Sequence, residues 1–316
     1  MTAPELGPGF GRCVAQWCAP LLDRLAQPDL VELGAGSGAL AAVLLPELDR
    51  LGQLPQRYRI LEVSGALRAR QQAALEQLPA RLADRVTWID APPAQPWEGL
   101  IIGNEVVDAL PPIRLCFDGE RWRELQVDLK GAELAWVTGP ATPAGDALPD
   151  TCRITGYVTE VQPMLGPWLA EITRGLTRGG VWLADYGYPA SEYFHPQRTS
   201  GTAVAHYRHR AHDHLLQWPG LNDLSVSVDF TAVAAAAVAA GLSVAGYTSQ
   251  AQFLLAFGLT DYAEQHASDG STAALAALSE IKQLTLPGEM GDRFQVLAAS
   301  RDLDLPPWPV DQRHRL

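Results

Sequence analysis

Three glycines in alternate positions, Gly34, Gly36 and Gly38, separate the apolar run 29–33 from the helical stretch 38–51. No other feature constrains the fold as strongly. Glycine is needed where a chain turns tightly and where its backbone must come close to a ligand. A strand that ends in such a turn and continues as a helix offers free N–H groups to that ligand. The same alternation runs on to residue 110, with apolar runs at 29–33, 58–63, 85–89 and 99–102 and helical stretches at 38–51 and 65–82. Strands alternating with helices predict a mostly parallel sheet.

The period then changes. Over 113–137 apolar residues alternate, and Asp118-Gly119 supplies a strong hairpin turn signal. An antiparallel meander inserted over 113–150 is expected. The α/β pattern resumes with a helix at 164–178 and a strand at 181–186. The polar segment 187–222 reads as a long active-site loop. A helix at 230–240 and a strand at 242–247 complete a core region of 151–248. Residues 249–288 form a helical insertion, and 289–316 hold a final strand (293–300) and a proline-rich tail. Residues 1–112 make the ligand-binding half of the core.

With 316 residues and 47% of them apolar, the chain can bury a large α/β core with insertions. Its net charge of −12 gives no general attraction to nucleic acid or anionic lipid and suits a cationic partner. No apolar run reaches the roughly 18 residues that span a bilayer. Cys13, Cys18, Cys116 and Cys152 show no zinc or C-x-x-C spacing. Scattered thiols and the lack of a secretory leader predict a reducing, cytoplasmic location.

The strand ends carry the chemistry. Glu32 closes the first strand just before the glycine turn. A carboxylate there needs a partner, and a cationic amine such as that of a methionine moiety suits it. Glu62 closes the second strand and can accept from ribose hydroxyls. Asp90 closes the third; it either accepts from an adenine amino group or starts the turn into 91–96. Gly103-Asn104-Glu105 follows the fourth, at the carboxyl edge where ligands lie in open α/β sheets. A nicotinamide fingerprint shares the glycines, but no glycine occupies 39–41 to complete its spacing. The expected cofactor is therefore S-adenosyl-L-methionine, held by Glu32, Gly34, Gly36, Ser37, Gly38, Glu62, Asp90 and Asn104. The expected fold is a class I methyltransferase: a Rossmann-like, mostly parallel seven-stranded sheet with an antiparallel meander and a helical insertion.

Thr2–Glu5 (TAPE), Glu32–Gly38 (ELGAGSG), Glu62–Ser64, Gly103–Pro111 (GNEVVDALP), Asp185–Gly187, Val228–Phe230 and Met290–Phe294 occur in this order. Together they resemble the MidA-type, or DUF185, methyltransferases over nearly the whole chain. Mitochondrial members of that family are complex I assembly factors and protein arginine methyltransferases. The resemblance implies a protein substrate, a respiratory complex I type subunit among them. Family members carry several dozen residues ahead of the TAPE motif, where this sequence has Met1 alone; such a lobe is expected to cover the cofactor.

Methyl transfer to a guanidinium needs paired carboxylates to match its fork of donors and a base to take a proton. Glu105 is the first candidate, followed by Asp108, Asp185 and Glu160. Asp108 alternatively caps a turn, and Asp185 is alternatively satisfied by nearby backbone. Asp229 suits the family motif and a helix N-cap equally well. His195, His206, His209, His212 and His214 crowd one segment without a zinc spacing, so no metal is expected; a loop that orients substrate is one reading and a solvated loop the other. A scaffold that keeps the pocket without catalysis, or a methyltransferase of small molecules, are the alternatives. No Asn/Asp-Pro-Pro-Tyr string, which base amine methylation favours, follows the fourth strand. The oligomeric state is not encoded legibly.

Overall fold

The computed structural model describes residues 2–208, 210–266 and 270–316. Strands β1 (Asp29–Leu33), β2 (Arg57–Leu61), β3 (Val86–Ile89) and β4 (Trp97–Asn104) open the main sheet. Next come β5 (Ile113–Phe117), β6 (Trp122–Lys130), β7 (Glu133–Ala141) and β8 (Val158–Val161), a separate antiparallel sheet ordered β7-β6-β5-β8. The chain returns to the main sheet with β9 (Leu176–Tyr188) and leaves it for a small antiparallel sheet of β10 (Val204–Tyr207), β11 (Arg210–His212) and β12 (Asp223–Ser225). It ends with β13 (Val228–Asp229), β14 (Ser243–Ser249) and β15 (Phe294–Arg301).

The main sheet runs β14-β15-β9-β4-β1-β2-β3, with short β13 pairing beside β9. Strands β3, β2, β1, β4 and β9 pair in parallel, and β15 runs antiparallel to both of its neighbours. This is the expected seven-stranded α/β sheet. The sheet is covered on both faces, as buried parallel strands require. One core gathers the helix Pro8–Leu22 and the helix Ala39–Arg50, with Trp17 and Phe253 packed around Trp182. The other gathers the helices Leu165–Thr173 and Phe230–Ala239 around Val181, Leu183 and Leu297.

Several elements differ from the sequence reading. The helix expected over 65–82 stops at Leu75 and resumes only at Ala80–Ala83; Pro79 pushes Leu78 out of helical geometry. The helix expected over 164–178 ends at Thr173, and β9 starts at Leu176, well ahead of residue 181. Gly179-Gly180 reads as a helix stop but lies inside β9, because a Cβ on Gly179 would fall 1.8 Å from the Gly99 carbonyl oxygen. Close strand approach, not helix termination, accounts for that glycine. The meander gains a fourth strand, β8, which pairs with β5. The segment 187–222 is no simple loop, since β10 and β11 lie within it.

Where β15 ends, Arg301 donates to the carbonyls of Thr173, Leu176 and Ala240, satisfying two helix ends with one guanidinium. No helix among the described residues is long and apolar enough to cross a membrane.

Candidate active site

Parallel pairing sets the site. Leu33 lies opposite Leu61 on one side and Gly103 on the other, so the ends of β2, β1 and β4 reach the same level. Gly34, Gly36 and Gly38 all adopt positive φ, at 61°, 53° and 83°. A Cβ on Gly34 would strike Val106 at 2.8 Å, whereas one on Gly36 would meet nothing within 4 Å. The turn is thus packed from beneath at Gly34 and open above Gly36, where a ligand needs room.

Glu32 is only 3% exposed, and the Tyr58 hydroxyl donates to its Oε2 at 2.7 Å. Burial pushes its carboxyl up to about 7, and the tyrosine hydrogen bond opposes that rise. A buried acid held this way gains from a cation placed beside it. Glu62 accepts from the Ser64 N–H at 2.8 Å and from Gln71 Nε2 at 3.2 Å. Asp90 is exposed and pairs with Arg68 at 2.5 Å; that guanidinium also donates to the Glu62 carbonyl. Asp90 is therefore partnered within the protein. The Ser37 hydroxyl donates to Glu5 at 2.8 Å, which places the TAPE segment on the glycine turn.

Beyond β4 the backbone is strained. Glu105 has φ of 54°, uncommon for a residue with a side chain, and its N–H donates to the Ala184 carbonyl. Asn104 Nδ2 donates to Glu105 Oε1 at 3.2 Å, while Asn104 Oδ1 is buried with no partner. Burial pushes the Glu105 carboxyl up to about 7; the hydrogen bonds from Asn104 and the Ala3 N–H pull down, and the charge of Asp108 pushes up. Burial also raises Asp108, against the Tyr186 hydroxyl that donates to it at 2.7 Å.

Asp185 is fully buried. It accepts from the N–H groups of Val107 and Asp108 at 2.9 and 3.1 Å and from Tyr186 at 3.0 Å. Burial pushes its carboxyl well up and the Asp108 charge adds to that, against the backbone donors. Through these bonds Asp185 pins the turn that carries Glu105 and Asp108. Glu160 does not join this group. It sits on β8, paired with Arg114 at 3.5 Å and accepting from the Thr202 N–H at 2.7 Å. Asp229 caps its helix, accepting from Thr231 and Ala232.

The strand β12, which pairs with β10 of the histidine-rich segment, brings two residues to the site. His206 and His212 sit on β10 and β11, and the His212 ring packs edge-on against Trp218; His209 lies outside the described residues. Asp223 and Ser225 on β12 are the groups that act on the pair, Asp223 by raising Asp108 and Ser225 by a hydrogen bond to Tyr186. Sequence reading missed Tyr58, Gln71, Arg68 and Tyr186. Only Tyr186 carried a signal, as the neighbour of Asp185.

The residues present fit S-adenosyl-L-methionine. The space over Gly36, the orphaned acceptor of Asn104 and the destabilised charge of Glu32 all favour a ligand bearing a cationic amine. Residues 13–248 match the family described as "Putative S-adenosyl-L-methionine-dependent methyltransferase". A COG1565 superfamily structure from Burkholderia thailandensis, bound to S-adenosyl-homocysteine, is 38% identical, covers all of this chain and 83% of its own, and superposes with a TM-score of 0.94. A second COG1565 structure from that organism gives 0.93 at the same identity, covering all of this chain and 86% of its own. Among curated proteins, the mitochondrial protein arginine methyltransferase NDUFAF7 of Bos taurus is 28% identical over 94% of this chain and 72% of its own length. The Drosophila melanogaster homologue is 27% identical over 94% and 74%. These relatives carry mitochondrial names, which overturns the expectation of a cytoplasmic location drawn from cysteine usage and the absence of a leader.

Proposed function

The chain belongs to the S-adenosyl-L-methionine-dependent methyltransferases, and on that premise we propose that it methylates an arginine side chain of a protein substrate. One observation carries the proposal: Glu105 and Asp108, two partly buried carboxylates in mutual electrostatic reach, stand at the end of β4 beside the cofactor turn. A guanidinium offers planar, paired donors that two such carboxylates match. The names of the curated relatives agree with this acceptor. A subunit of a complex I type enzyme is the first substrate to try, on the family resemblance.

The bound cofactor supplies an electrophilic methyl group on sulfur. On the protein side, Glu32 and Asn104 Oδ1 would hold the amine of its methionine moiety, and Glu62 would take the ribose hydroxyls. Ser37, Gly34, Gly36 and Gly38 would form the turn that receives it, and Asp90, through Arg68, would brace the adenine. Glu105 would orient the guanidinium and accept the one proton that its nitrogen gives up on methylation. A carboxyl poised at about 7 suits that proton transfer near neutral pH. Asp108, steadied by Tyr186, holds the second nitrogen, and Asp185 fixes both carboxylates through their backbone.

The test is labelled S-adenosyl-L-methionine with a cell lysate, followed by acid hydrolysis of the labelled protein. Methylarginine is expected from the wild-type chain and none from Glu105→Gln, which still binds cofactor. Label on another amino acid, or on small molecules alone, overturns the acceptor. A fully active Glu105→Gln removes its assigned role.

A further inference from the structure

The helix Gly65–Leu75 buries an amide. Gln71 is 0% exposed, and every polar atom of its side chain is engaged. Its Nε2 donates to the Gly36 carbonyl at 3.1 Å and to Glu62 Oε2 at 3.2 Å, while its Oε1 accepts from the Trp88 indole N–H at 2.8 Å. These partners belong to the glycine turn, the end of β2 and the strand β3. The Gln71 backbone also lies close under the turn, 3.2 Å from where a Cβ on Gly38 would stand.

A buried amide costs stability unless its hydrogen bonds are made, and a leucine would fill the same volume without that cost. The position of the amide therefore calls for a role. Glu62 shows what it does. One carboxylate oxygen is held by the Ser64 N–H and the other by Gln71, so the plane of the group is fixed from both ends. The same amide nitrogen fixes the carbonyl of Gly36, the residue with open space above it. Trp88 sets which end of the Gln71 amide faces these two acceptors.

We propose that Gln71 is a positioning residue for the cofactor: it preorients the Glu62 carboxylate and the Gly36 peptide so that the ribose and the glycine turn need no rearrangement on binding. The inference rests on the reading that Glu62 takes the ribose hydroxyls. A preset hydrogen-bonding group binds more tightly than one that must be ordered at the moment of binding. Gln71 does not touch the cofactor; it acts through Glu62.

Calorimetric titration of the full chain with S-adenosyl-homocysteine tests it. Gln71→Met keeps the volume and removes the polar links; affinity is expected to fall roughly tenfold, the scale of one hydrogen bond to a charged group. In a Glu62→Ala background the same change is expected to cost less than about twofold, because the group it positions is gone. Trp88→Phe frees the amide to rotate while leaving it in place, and roughly a threefold loss is expected. It serves as the second probe where Gln71→Met folds poorly. Undiminished affinity in both single variants overturns the proposal. So does an equal loss with and without Glu62, which marks Gln71 as general core packing. Absence of binding by the wild-type chain sinks the cofactor reading along with it; tight wild-type binding with unaffected variants sinks this proposal alone.

Discussion

Glu32→Gln is expected to stabilise the ligand-free protein at alkaline pH while weakening its hold on the cofactor. Glu32 is buried and its carboxyl is displaced from 4.5 to about 7. In the unfolded chain it ionises at its ordinary value. A raised folded pKa leaves stability intact below about 4.5 and removes it progressively as pH rises through about 7. That displacement is worth about 3 kcal/mol between the two protonation states. Glutamine is nearly isosteric, never ionises, and still accepts from the Tyr58 hydroxyl through its own carbonyl oxygen. At pH 8 the variant should therefore exceed the wild type by up to about 3 kcal/mol, a rise in Tm of roughly 5 °C for a chain of this size. At pH 5 the two should differ by only about 0.8 kcal/mol. Glu105 and Asp229 also have raised carboxyls, but they are the same in both proteins and cancel in the difference. A cationic amine beside Glu32 stabilises its charged form, so S-adenosyl-homocysteine should raise the wild-type Tm more than that of the variant at pH 8. Thermal melts at both pH values, with and without ligand, measure all of this. A variant less stable than wild type at pH 8, or a gap that does not close towards pH 5, refutes the reasoning.

Two further outcomes are expected. Asp185→Ala leaves three backbone N–H groups without their acceptor; at about 1 kcal/mol or more for each buried donor, stability should fall by about 3 kcal/mol or more, and a Tm within about 1 °C of wild type would show that those bonds do not pin the turn. If Glu105 is the base, transfer at saturating cofactor should rise with pH through about 7, where its carboxyl loses its proton, and then level off. A rate flat across that window in a pH series counts against it.

The strand-end acids were legible because parallel pairing in near register brings successive strand ends to one level, and the sequence shows which residue follows each apolar run. Their partners were not. Gln71 looks in sequence like one more polar residue on a surface helix; only the packing of that helix under the turn buries it. Glu160 looked free for a substrate guanidinium because its cation, Arg114, faces it across the β5–β8 pairing from a distant part of the chain. The strands β10 and β11 escaped notice because both are short and only Ala205 among their residues is buried, so burial imposes no alternation on them. Asp185 could be read two ways for a similar reason: its donors lie 77 and 78 residues away on another turn.

The placement of β15 has a consequence for how the protein is made. It follows all the other strands of the described residues in the chain, yet it lies between β9 and β14, and Arg301 at its end closes two helices made long before it. On the ribosome, every residue of the candidate site, from Glu32 to Asp185, emerges while β9 still presents an unpaired edge. Such an edge is the kind of surface that recruits wrong partners and that chaperones shield. Shortening this chain from its C-terminal side is thus expected to yield aggregation rather than a smaller working enzyme, even though no candidate site residue is lost.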